Sequence, residues 1–134
     1  MITKEGATWL LQEFFRKQAT ENNLVLRLVQ NVEIQYTDEY ADLIFTENVN
    51  KGAIARSADD WSLVSSLPFG IAMESKQVSF EPEGTEDPTG VYRRAALVDE
   101  TNTILFGYSG VLAAPNRTIA QGDAITVKFT VVLR

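Results

Sequence analysis

Ile125-Thr126-Val127-Lys128-Phe129-Thr130-Val131-Val132-Leu133 is the stretch that decides the fold. Apolar side chains at 125, 127, 129, 131 and 133 alternate with small or polar ones, the two-residue period of a strand with one buried face. Gln121-Gly122-Asp123 stands before it and reads as the glycine turn through which the strand is entered, with Asp123 fixing that turn. Working back, Pro115-Asn116 and Ser109-Gly110 are breaks. Residues 91–98 read as one strand, Asp99-Glu100-Thr101-Asn102 as a polar turn, and residues 103–108 as the returning arm of a hairpin.

Further upstream the same period recurs in short pieces. Leu24, Leu26 and Leu28 share one face, and Val32, Ile34 and Tyr36 continue it, either as a long strand or as a hairpin turning at Gln30-Asn31. Residues 43–45, 61–64, 69–73 and 78–80 are short apolar runs separated by turn residues, a spacing that predicts a sandwich rather than an α/β fold. Residues 81–90 combine two prolines, two glycines and four acids and predict an exposed loop. The N-terminus differs: Ala7, Leu10, Leu11, Phe14, Phe15 and Ala19 fall at helical offsets after a start at Thr3, predicting one amphipathic helix over 4–18. That helix packs on its own sheet or docks on a neighbouring subunit.

The expected architecture is therefore mainly β, an antiparallel β-sandwich or jelly-roll-like domain with one N-terminal α-helix. A chain of 134 residues suits a single domain over 1–134, divided into a helical segment over 1–22 and a sandwich over 23–134. No signal-peptide core or membrane-length apolar run is present, so the product is expected to be soluble, with no membrane partner.

Composition narrows the chemistry. With no cysteine there are no disulfides, thiolate metal sites or cysteine nucleophiles, which suits assembly in a reducing cytoplasm. With no histidine the Ser-His-Asp triad and most zinc sites are excluded, which argues against an enzyme. The net charge is −6 and the basic residues are scattered, without a stripe to neutralise a phosphate backbone, so nucleic acid is not an expected partner.

Carboxylate pairs at Asp38-Glu39, Asp59-Asp60, Glu86-Asp87 and Asp99-Glu100 are adjacent on turns, and adjacent acids cannot face each other across a sugar. They read as solvated turn acids. Neither an EF-hand spacing nor a phosphate-cradling glycine motif is present, so no catalytic residue, cofactor or metal is assigned. Most aromatics sit at core parity, with Trp9 and Tyr92 the expected exposed exceptions. Arg93-Arg94 inside a strand would place one arginine on each face, requiring a pairing, an interface or a sheet edge. The candidate interface is Trp9, Phe14, Phe15, Tyr92, Arg93 and Arg94.

The order of features resembles a group of small virion structural proteins of tailed bacteriophages, described as tail-fibre-like or head-decoration-like. The resemblance rests on Thr3-Lys4-Glu5-Gly6, Leu24-Val25-Leu26-Arg27-Leu28, Phe45-Thr46-Glu47-Asn48 before Lys51-Gly52, Trp61-Ser62-Leu63 and Val78-Ser79-Phe80. It continues through Ala95-Ala96-Leu97-Val98-Asp99, Thr103-Ile104-Leu105-Phe106, Gly110-Val111-Leu112, Pro115 and Ile119-Ala120-Gln121-Gly122-Asp123. Ala53-Ile54-Ala55-Arg56 departs from the pattern, where an aromatic is expected directly after the glycine, and the acidic loop is longer. The resemblance implies a β-sandwich without catalysis, placed in the virion after assembly in the host cytoplasm. A capsid decoration or cement protein is the leading expectation, homo-oligomeric and bound to a major capsid protein. A tail-fibre or baseplate position is the close variant. A glycan- or receptor-binding sandwich, using Trp9, Trp61 and Tyr92, is the alternative of another class.

Overall fold

The computed structural model describes residues 2–17, 24–64, 70–83, 91–112, 119–120 and 122–133. Thr3 opens the helix: its Oγ1 accepts a hydrogen bond from the Gly6 N–H at 3.1 Å, filling one of the donors that a helix start leaves free. The α-helix α1 runs Lys4–Leu11 and widens into a π turn over Gln12–Arg16, after which Lys17 is extended. The expected helix over 4–18 is thus shorter and irregular, and residue 18 lies outside the described residues. The wide turn coincides with two adjacent phenylalanines that find different partners. Phe15 packs on Trp61 with ring centroids 4.4 Å apart, and Phe14 stacks on Phe106 at 4.8 Å. The helix therefore buries Ala7, Leu11 and Phe15 in its own domain, as one of the two expectations had it.

Seven strands form two antiparallel sheets among the described residues: β1 Leu24–Val29, β2 Gly52–Ile54, β3 Trp61–Val64, β4 Ile71–Phe80, β5 Arg94–Asp99, β6 Ile104–Tyr108 and β7 Ile125–Leu133. One sheet has the order β2-β1-β5-β6, the other β3-β4-β7. Leu26 and Leu97 from the first pack with Trp61, Met73, Phe80 and Phe129 from the second in one shared core, so the fold is a β-sandwich as expected. The sheets approach closely at β2. A Cβ added to Gly52 would run into Val78 Cγ1 and lie 3.2 Å from the Leu26 carbonyl oxygen, so only glycine fits there.

Two expected runs merge and two dissolve. Residues 71–73 and 78–80 belong to one strand, β4, whose ladder with β7 shifts register between Glu74 and Gln77, while residue 69 lies outside the described residues. Ser75 serves that bulge: its buried hydroxyl accepts from the Phe129 N–H at 2.9 Å and donates to the Lys76 carbonyl at 2.8 Å. Conversely, 32–36 and 43–45 are not strands. Residues 30–46 leave β1 and fold back as a loop, held by the Gln30 N–H on the Ile44 carbonyl (2.7 Å), the Thr46 N–H on the Leu28 carbonyl (2.9 Å) and the Asn31 amide on both Asp42 and Ile44. Glu39 and Asp42 cap its single turn of 3₁₀ helix reciprocally.

This loop lays Ile34, Tyr40, Leu43 and Phe45 over Val25, Val29, Ala96, Val98 and Leu105, a second core on the outer face of the four-stranded sheet. Strands β1 and β5 are consequently buried on both faces. In β7 only the inward residues are covered, and Thr126, Lys128, Thr130 and Val132 are exposed. The Gln121-Gly122-Asp123 turn is realised in its described part, with Gly122 at φ 86° and the Asp123 N–H on the Ala120 carbonyl at 3.1 Å.

Candidate functional site

Asp38 Oδ2 accepts from the Gln35 N–H at 2.8 Å and closes its own turn. Asp60 Oδ2 accepts from the Ala55 N–H at 2.7 Å and pairs with Lys76 at 3.2 Å. Glu86-Asp87 lies outside the described residues.

Asp99 is buried at the start of the β5–β6 turn, where it accepts from both the backbone and the side-chain amide of Asn102. Burial pushes its pKa up, but those hydrogen bonds, the Thr101 N–H and the charge of Arg56 outweigh that and hold it below the usual value. Glu100 bridges Arg27 at 3.0 Å and Lys51 at 2.9 Å, while the Arg27 guanidinium lies 3.8 Å from the Phe45 ring centroid. Burial opposes ionisation of Glu100 too, and Lys51 followed by Arg27 overcomes it, so its pKa is also lowered. These carboxylates tie turns and strands together. Among the described residues no group of three or more acids converges as a metal site would require, and no helix is long and apolar enough to cross a membrane.

What the surface does offer is a set of exposed apolar side chains along β6 and the residues after it. Ile104, Phe106, Tyr108, Val111 and Leu112 are each between 41% and 49% exposed. The β5–β6 ladder explains part of this: Leu97 pairs with Gly107 and Val98 with Leu105, so Phe106 is the extra residue of a bulge. It leans over Phe14, which Arg56 covers from above, 4.0 Å from the ring centroid. Beside it, Gln35, Tyr36, Asp38 and residues 105–108 line an open groove of about 360 Å³. Tyr36 stands on its rim at 97% exposure, presented by the turn that Asp38 closes.

The expected interface residues scatter. Trp9 is exposed, as read from its position off the helical stripe, whereas Tyr92, also expected outside, is only 8% exposed and joins the shared core. Phe15 is buried at 1% and cannot touch a partner directly. Phe14 is half-buried under Phe106 and Arg56. Arg93 precedes β5 and ties its backbone to Val29 and Leu112, so only Arg94 lies within the strand. Arg94 donates to the Val32 carbonyl through Nε and Nη2 and to the Ser109 carbonyl through Nη1, pinning the covering loop to the segment that follows β6. Its pairing is internal.

For a sugar platform, Trp61 at 1% and Tyr92 at 8% exposure are both unusable. The aromatics that do line a groove are Tyr36, Phe106 and Tyr108, which the sequence reading missed. By sequence alone Tyr36 reads as part of a continuing strand or hairpin, and Phe106 and Tyr108 as parts of an ordinary hairpin arm. The sole signal was that 104, 106 and 108 are all large and apolar in a short hairpin arm. Comparison of the chain with protein-family models, curated proteins and solved structures gives no match.

Proposed function

We propose that the chain is a non-enzymatic structural component of a tailed-phage virion that works by surface contact, in the first place as a capsid decoration or cement protein. The observation that supports this is the set of exposed apolar side chains at 104, 106, 108, 111 and 112, on a domain whose Asp38, Asp60 and Asp99 carboxylates are engaged in holding turns. Exposed apolar surface gathered on one strand and its extension marks contact with another protein. Shell subunits, or tail and baseplate subunits in the close variant, would cover it, with affinity multiplied by repeated symmetric copies after assembly in the host cytoplasm.

The test is cosedimentation of the protein with assembled heads and with isolated tails, comparing wild type with Val111→Glu/Leu112→Glu. Both positions are exposed, so the variant should fold yet bind at least about tenfold more weakly. Equal binding by the variant, or binding to neither particle, overturns the reading.

One observation favours a second reading, a glycan- or receptor-binding module: Tyr36, Phe106 and Tyr108 line a groove with Gln35 and Asp38. Glycan-array binding that Tyr36→Ala abolishes, with no binding to heads or tails, would establish it instead.

A further inference from the structure

Strand β7 pairs with β4 along one edge, and among the described residues no strand pairs with the other. The Phe129 N–H points at Ser75 on β4, so alternation aims the backbone N–H and C=O groups of Thr126, Lys128, Thr130 and Val132 away from β4. Natural sheets guard such edges by keeping them short, bulged, charged or interrupted by proline. The other three sheet edges follow that rule: β2 has three residues, β3 has four, and β6 carries a bulge. Strand β7 has nine residues and no proline, its side of the bulge in the β4 ladder is regular, and its single charge, Lys128, is drawn onto Glu74 at 3.0 Å. Its inward apolar residues Ile125, Val127, Val131 and Leu133 remain half-buried, as at a core that stops short.

We propose that this edge pairs with the β7 edge of a second copy of the chain, antiparallel across a two-fold axis at Phe129. The occupant follows from the strand's own symmetry. Centring on Phe129 sets each outward-pointing residue opposite another, Thr126 on Val132 and Lys128 on Thr130, as a hydrogen-bonded ladder requires. It also sets lysine opposite threonine, whereas centring on Lys128 would oppose two ammonium groups. On the inner face Ile125 meets Leu133 and Val127 meets Val131, extending the half-covered core into a six-stranded sheet shared by two sandwiches. This pairing stands apart from the virion reading. A monomer that still binds heads or tails would sink the pairing alone, and a dimer that binds neither would sink that reading alone.

Sedimentation velocity over a wide concentration range should show a monomer–dimer equilibrium. Thr130→Pro removes an outward donor, twice in the symmetric dimer, and should weaken association at least about tenfold while leaving the β4 pairing intact. Thr130→Lys opposes the partner's Lys128 yet faces Glu74 within its own sheet, so it should weaken the dimer without lowering the melting temperature. In hydrogen exchange the Lys128 and Thr130 amides should gain protection as concentration rises. A chain that stays monomeric at every concentration overturns the proposal, as does a dimer indifferent to both substitutions. So does protection of those amides already in the monomer, since the chain itself would then cover the edge.

Discussion

Strands β1 and β5 are nearly continuous apolar runs, strand β7 alternates apolar with polar residues, and they end in opposite situations. The central pair is sealed on both faces, with Leu26, Leu97, Val29 and Val98 all at 0% exposure. Strand β7 covers one face and leaves Thr126, Lys128, Thr130 and Val132 in water. The difference comes from a loop: residues 30–46 fold over the outer face of the first sheet, and no described segment does the same for the second. A sheet face is buried because something lies on it. The outward residues match their surroundings: Val25, Val29, Ala96 and Val98 are apolar beneath the loop, whereas Thr126, Lys128 and Thr130 are polar in water.

The sharpest way to break that contrast is to put a charge on the outer face of each sheet. Val98→Asp strands a carboxylate beneath the covering loop and should cost more than about 4 kcal/mol, enough to prevent folding, whereas Thr126→Asp should stay within about 0.5 kcal/mol by urea denaturation. Equal effects would mean that the loop does not seal the sheet.

Next in size is the inner core. Phe15→Ala empties the contact with Trp61 and should lose about 3–5 kcal/mol, with the half-exposed Phe14→Ala losing clearly less. Gly52→Ala tests the close approach of the two sheets at β2 and should cost about 1–3 kcal/mol, read as a lower melting temperature.

Acid dependence gives a smaller effect. Because the folded pKa values of Asp99 and Glu100 lie below 3.8 and 4.5, their contribution is complete above those values and fades as pH falls through the depressed folded values. Glu100→Gln should therefore flatten the loss of stability below about pH 4.5, relative to wild type at the same salt. A melting profile of unchanged slope would show that the Arg27–Glu100–Lys51 bridge contributes nothing. The smallest effect is expected at Thr103, a β-branched residue held at φ 51° in the β5–β6 turn. Thr103→Gly relieves that conformation and should raise stability by up to about 1 kcal/mol.

The strands that were legible are those whose partner arrives through a short turn or whose period is unbroken: β5 and β6 around Asp99-Glu100-Thr101-Asn102, and β7 behind Gly122. Residues 32–36 have the same period but lack a strand to pair with, because the chain reverses at Asn31 and its amide closes the loop instead. The candidate site was less legible. Tyr92 lies in a polar neighbourhood of the sequence yet is buried. The groove joins Tyr36 to Phe106 across about seventy residues of chain, and no local period encodes that meeting. The bulge that turns Phe106 toward Phe14 is likewise a property of the ladder between two strands.

The order of apolar and polar side chains determined by itself that this is a β protein with one capped helix, since alternation and helical spacing are properties of neighbouring residues. Only the tertiary structure decided which strand faces are core, which arginine is locked inside and which edge no described strand pairs with. Those outcomes depend on what packs across from a residue, and burial is set by contacts between segments far apart in the chain.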